Sequence, residues 1–108
     1  MKFWWKLWVP FLILPLFVLA SDKGDAIKGK EVFANRCAVC HGESGKGKEA
    51  IAKMFNVTMK NLGSEEVQSI DDATLKKDIL EGNGKMRPVR LTDQEAADVI
   101  AFIHTLKK

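Results

Sequence analysis

The sequence predicts an all-α domain of three to four helices. Three observations lead there: capping residues open segments at Asp25, Asp72 and Thr92, apolar residues behind them recur at three- and four-residue spacing, and no stretch alternates like a half-buried strand. The 108 residues allow a single domain.

The opening stretch, MKFWWKLWVPFLILPLFVLA, is an element apart. Lys2 and Lys6 precede an uncharged run from Leu7 to Leu19, and Val18-Leu19-Ala20 stands before the polar SDKGD, the layout of a secretory signal. As a helix, Leu7 to Ala20 reaches roughly 21 Å against a hydrocarbon core of about 30 Å, and Pro10 and Pro15 weaken a permanent span further. The expected division is residues 1–20 as signal peptide and 21–108 as the mature domain. The alternative is an uncleaved anchor from Phe3, with Lys6 snorkelling and the tryptophans at the interface. No cysteine follows Ala20, which argues against a lipoprotein.

Asp25 caps a helix running to about Arg36, with Gly29, Val32, Phe33 and Arg36 on one side. Gly42 to Lys48 is turn-rich and polar, hence a surface loop. KEAIAKMF reads as a short helix ending before NVTMKNLGS. Asp72 caps ATLKKDILEG, in which Leu75 and Ile79 share a face and Gly82 marks the stop. NGKMRPVR is an extended loop, since Pro88 disfavours helical geometry at Arg87. Thr92 and Glu95 form a capping box for the last helix, whose stripe is Ala96, Val99, Ile100, Ile103 and Leu106, with Lys107 and Lys108 at the negative end of its dipole.

A core is harder to find than the helices. Without the leader the chain loses all three tryptophans, has no tyrosine, and keeps Phe33, Phe55 and Phe102 as its aromatics. A domain of this size buries only about 60 to 65 per cent of its unfolded surface and usually needs a staple or cofactor. Charge is uninformative: +3 over the chain falls to +1 without Lys2 and Lys6, so nucleic-acid binding has no global footprint. Local basic groups stand at Lys46 and Lys48 and at Lys85, Arg87 and Arg90.

Both cysteines and one of the two histidines fall within NRCAVCHG, as Cys37, Cys40 and His41. C-x-x-C-H is the spacing of covalent c-type haem attachment. On a helical turn, residues three apart are neighbours, so both thiols can add to vinyl groups on one porphyrin edge while His41 reaches the iron. A Cys37–Cys40 disulfide would close a loop too small to stabilise much. A thioredoxin-like pair needs a preceding strand, where this sequence has a helix. Zinc would have to recruit His104 from far along the chain.

From residue 24 to 108 the sequence resembles the small, exported, monohaem class I cytochromes c. Gly29 and Phe33 on the first helix and Phe102 on the last match the close helix crossing of that family. The resemblance implies a cytochrome c fold, with the helices wrapped around one covalently attached haem c whose iron and flat apolar body supply the missing core. It further implies a methionine as second axial ligand. Met1 belongs to the leader, Met54 and Met59 read as apolar gap-fillers, and Met86 stands in the loop between two well-marked helices, the place the family's ligand occupies. Members often carry a proline soon after the motif whose carbonyl receives the proximal imidazole; here Gly42-Glu43 follows and another acceptor is required. With no mature tryptophan or tyrosine, Lys85, Arg87 and Arg90 are the candidates for the propionates.

His/Met ligation leaves no open iron site and raises the potential, which implies a one-electron carrier rather than an enzyme. The expected protein is periplasmic, monomeric, and membrane-bound only if the leader is retained. Its partners are a redox donor and acceptor, steered to the exposed haem edge by Lys46, Lys48, Lys85, Arg87 and Arg90 if their contact surfaces are acidic. Two alternatives stand beside this one: a gas-sensing or peroxide-reducing protein with a displaceable distal ligand, and a tethered cytochrome subunit of a respiratory complex.

Overall fold

The computed structural model describes residues 23–108, so the expected leader lies outside the described residues. Six helical segments follow one another: α1 Ala26–Arg36, α2 Ala38–His41, α3 Glu49–Phe55, α4 Glu65–Gln68, α5 Asp72–Glu81 and α6 Asp93–Thr105. Four of them run for seven residues or more, which is the expected three to four helices; α2 and α4 are single turns. Among the described residues there is no strand, and the one β-bridge is an isolated pairing of Asn83 with Met86.

The frame is the crossing of α1 and α6. Asp25 caps α1, its carboxylate accepting from the Ile27 and Lys28 N–H groups. Gly29, one turn further, lies against the Asp98 backbone of α6 so closely that any Cβ there would collide with the Asp98 carbonyl. Phe33 and Phe102 then meet with ring centroids 5.1 Å apart and planes tilted by 54°, the edge-biased geometry that adds about 0.5–1.5 kcal/mol to simple burial. Asp98 is buried but satisfied: its carboxylate accepts from the Asp25 N–H at 2.8 Å and from Gln94 Nε2 at 2.9 Å. This contact locks the start of α1 onto α6.

The Thr92–Glu95 capping box forms in both directions, and Ala96, Val99, Ile100 and Ile103 are buried along the predicted stripe. The helix ends at Thr105, so Lys107 and Lys108 lie beyond its last turn. The cap of α5 is Asp71, one residue before the expected Asp72, because Asp71 is the carboxylate in reach of the Thr74 N–H, at 2.7 Å. Ser64 caps the unexpected α4 through the Val67 N–H. Gln68 at its end donates from Nε2 to the Leu62 and Ile103 carbonyls, both at 2.8 Å. His104 extends the tie, with Nδ1 3.1 Å from Gln68 Oε1 and Nε2 2.8 Å from Asp72 Oδ1. A glutamine and a histidine thus stitch α4 and α5 to the back of α6.

Candidate functional site

The cysteine motif is one more helical turn added to the end of α1. The Cys37 N–H donates to the Phe33 carbonyl at 2.8 Å, and the Cys37 carbonyl receives the Cys40 and His41 N–H groups at 3.2 and 3.0 Å. The α1–α6 crossing therefore sets the motif's position. The following loop folds back on it: the Gly47 N–H donates to the His41 carbonyl at 2.7 Å, and the Lys48 N–H to the Cys40 carbonyl at 3.0 Å. Gly47 has φ +90, and a Cβ there would stand 2.6 Å from Met59 Cβ, so position 47 requires glycine twice over.

Met86 reaches the same site on a hairpin. Asn83 and Met86 exchange backbone bonds of 3.1 and 2.9 Å, which closes a two-residue hairpin turn, and Gly84 at its first central position has φ +61. The Val89 N–H donates to the Ile79 carbonyl at 2.8 Å and returns the chain to α5. The expected extended loop is thus a hairpin followed by an extended stretch of chain, since glycine at the first central position favours the turn and Pro88 the extension.

Cys37, Cys40, His41 and Met86 all line one cavity of about 750 Å³. Its walls are mainly apolar and include Val67, Leu75, Ile79 and Ile103 as well as Ile51 and Phe55 of α3. Burial pushes the Cys37 thiol up to about 11, with Arg36 opposing, so the sulfur is held as a neutral thiol. Burial lowers the His41 imidazole below its ordinary value and favours the neutral ring that binds metals. His41 Nδ1 is buried and has no hydrogen-bond partner among the described residues, so the acceptor sought in place of the missing proline is not provided. Two thiols, one neutral imidazole and one thioether on an apolar cavity of this size fit a covalently attached haem.

Of the other sequence candidates, Met59 lines the cavity, whereas Met54 is 70 % exposed and fills no core, because α3 buries none of its residues. Lys85 and Arg87 are on the cavity rim; Arg90 is not, and lies at a separate open recess beside Leu91 and Glu95. Sequence reasoning missed Arg36, Lys60 and Asp78, which line the same cavity. Arg36 was visible as the residue preceding Cys37, but nothing in the pattern tied positions 60 and 78 to the motif. Lys60 bridges to Glu66 at 2.9 Å. His104, bound to Gln68 and Asp72, is not among the lining residues.

The family model for Cytochrome c matches residues 26–107. Cytochrome c-554(547) of Halothiobacillus neapolitanus is 36% identical over 90 residues, an alignment covering 78% of this chain and 99% of that protein. The Cbb3-type cytochrome c oxidase subunit FixP of Azorhizobium caulinodans is 35% identical over 90 residues, covering 80% of this chain but 29% of the subunit, so the chain spans under a third of that relative's length. Among solved structures, cytochrome cL from Hyphomicrobium denitrificans superposes with a TM-score of 0.60 at 27% identity, over 77% of this chain and 48% of that one. The KustC0563 c-type cytochrome gives 0.64 at 21% identity, over 74% and 98%, and shares the fold.

Proposed function

This chain is a member of the cytochrome c family, with covalently bound haem c as its cofactor, and within that family we propose that it is a one-electron carrier. The reading rests on one observation: the two thiols, the imidazole and the Met86 thioether converge on a single apolar cavity. When bound, the haem supplies an iron that accepts and releases one electron. Cys37 and Cys40 would hold the haem through thioether bonds, each adding its S–H across a vinyl group, and His41 and Met86 would be the protein ligands of its iron. With both ligands supplied by the protein, the site would leave a substrate no open position at iron and would favour one-electron exchange.

The two cysteines lie where the loop of residues 42–48 folds back on α2, and Lys46 and Lys48 are exposed on that loop. Together with Arg36 and Arg87 on the rim they offer an acidic redox partner a cationic approach. Of the sequence candidates for the propionates, Arg87 lines the cavity and Arg90 does not. Residues 1–20 are proposed to be removed on export, giving a periplasmic protein of residues 21–108.

Expression of the full sequence with a haem-attachment system tests the whole reading. The intact mass should equal residues 21–108 plus one haem, and carbon monoxide should leave the reduced spectrum unaltered. Colourless protein with free thiols, or ready carbon monoxide binding, would overturn it.

A further inference from the structure

The hairpin that carries Met86 has a lysine at its tip, and that lysine is occupied. Lys85 Nζ donates to the Phe55 carbonyl at 2.7 Å, 30 residues back along the chain. Phe55 is the last residue of α3, so its carbonyl lacks an intrahelical donor, and a cation at a helix C-terminus is favoured there. Both residues line the cavity.

The hairpin's other backbone bonds lie within itself, between Asn83 and Met86, or tie the chain beyond it to α5, from the Val89 N–H to the Ile79 carbonyl. Among the hydrogen bonds of the described residues, Lys85 to Phe55 is the one that joins residues 83–86 to α3. Removing it leaves the hairpin fastened along one side only.

We propose that Lys85 is a latch: by capping α3 it holds the hairpin closed over the cavity and sets how often the Met86 sulfur leaves its position. Lys85 is then a positioning residue that acts through Met86, and the inference rests on the reading of Met86 as axial ligand. A latch of this kind governs the entry of small exogenous ligands rather than the electron-transfer step. It also means that the Lys85 ammonium is committed within the protein and is not part of the cationic surface offered to partners.

The test uses ferric holoprotein and imidazole as the entering ligand, followed through loss of the sulfur-to-iron charge-transfer band. Lys85→Met keeps the apolar stem and removes the donor; it should keep the band and bind imidazole roughly three- to tenfold faster, the effect of one partly exposed charge-assisted bond. Its Met86 and Asn83 amides should exchange with deuterium faster while that of Val89 does not. Lys85→Arg should return both measures towards native. Lys53→Met, which removes an exposed charge from the last turn of α3, outside the cavity lining and without touching the latch, should match native. Native imidazole rates in Lys85→Met overturn the latch, as does equal acceleration in Lys53→Met. Met86→Ala separates the two ideas: if it keeps the band, the ligand reading fails and the latch with it; if it loses the band while Lys85→Met behaves as native, the latch alone fails.

Discussion

Gly29 faces the carbonyl of Asp98 with no room between the two helices for a side-chain carbon. The contact is backbone against backbone, so no rotamer change can relieve an added methyl. Gly29→Ala should lower the stability of the holoprotein by about 2–3 kcal/mol, the upper part of the overpacking range. Because Cys37 hangs from α1 by its bond to the Phe33 carbonyl, moving α1 also moves the motif. Denaturant unfolding of Gly29→Ala measures the loss, and stability within 0.5 kcal/mol of native, roughly the scatter of surface substitutions, would show that the crossing is looser than its geometry states.

The elements that the sequence made legible are those whose signal is local. Asp25, the Thr92–Glu95 box and the 3.6-residue stripe of α6 each act within one or two turns; the two caps form as read, and the stripe forms from Ala96 to Ile103, with Leu106 just past the helix end and partly buried. Cys37, Cys40 and His41 were legible for the same reason: their chemistry depends on spacing inside one turn. What stayed hidden depends on distant partners. Single-turn α4 has too few residues to show periodicity, and Gln68 at its end is anchored by Leu62 and Ile103. Lys60 and Asp78 reach the cavity through the tertiary path of the chain, and Met54 and Met59, alike in sequence, separate only when one is seen to face outward and the other the cavity. Asp71 and Asp72 are adjacent carboxylates, and only the observed bond to the Thr74 N–H decides between them.

Met54, Met59 and Met86 make separable spectroscopic predictions. Met86→Ala should abolish the sulfur-to-iron charge-transfer band of the oxidised protein. Met59→Leu, a volume-conserving change at the cavity wall, should keep the band and cost less than about 1.5 kcal/mol. Met54→Leu, at an exposed site on α3, should change neither spectrum nor stability. A band that survives Met86→Ala and vanishes in Met59→Leu would move the ligand to position 59.

Steering by the cationic approach carries its own signature. Exposed charges are screened over about 10 Å at 0.1 M salt, so electron exchange with an acidic partner should slow as ionic strength rises. Lys48→Gln and Arg87→Gln should each lower the rate at low salt and flatten its salt dependence, whereas Arg90→Gln, away from the cavity, should leave both unchanged. Stopped-flow exchange with an acidic redox protein gives the slopes, and a rate indifferent to salt would remove the steering role.

Asp71 links acid sensitivity to the helix that enters the methionine hairpin. The Thr74 side chain and its backbone N–H hold the Asp71 carboxyl below its ordinary value of 3.8. A group whose folded value is depressed adds stability above its unfolded value and loses it as pH falls through the folded one. The contribution of this cap should therefore be complete at neutral pH and fade below about pH 4. Asp71→Asn keeps a capping oxygen but cannot titrate, so its stability should sit near native at pH 7 and fall less steeply on acidification. Asp71→Ala loses the cap and should be less stable than native at neutral pH, with the difference shrinking in acid. The consequence reaches the cavity because α5 carries Leu75 and Ile79 to its wall and bonds Val89 beyond the hairpin. Thermal unfolding of the three proteins from pH 3 to 7 measures these slopes, and an Asp71→Asn slope identical to native would show that the acid dependence arises elsewhere.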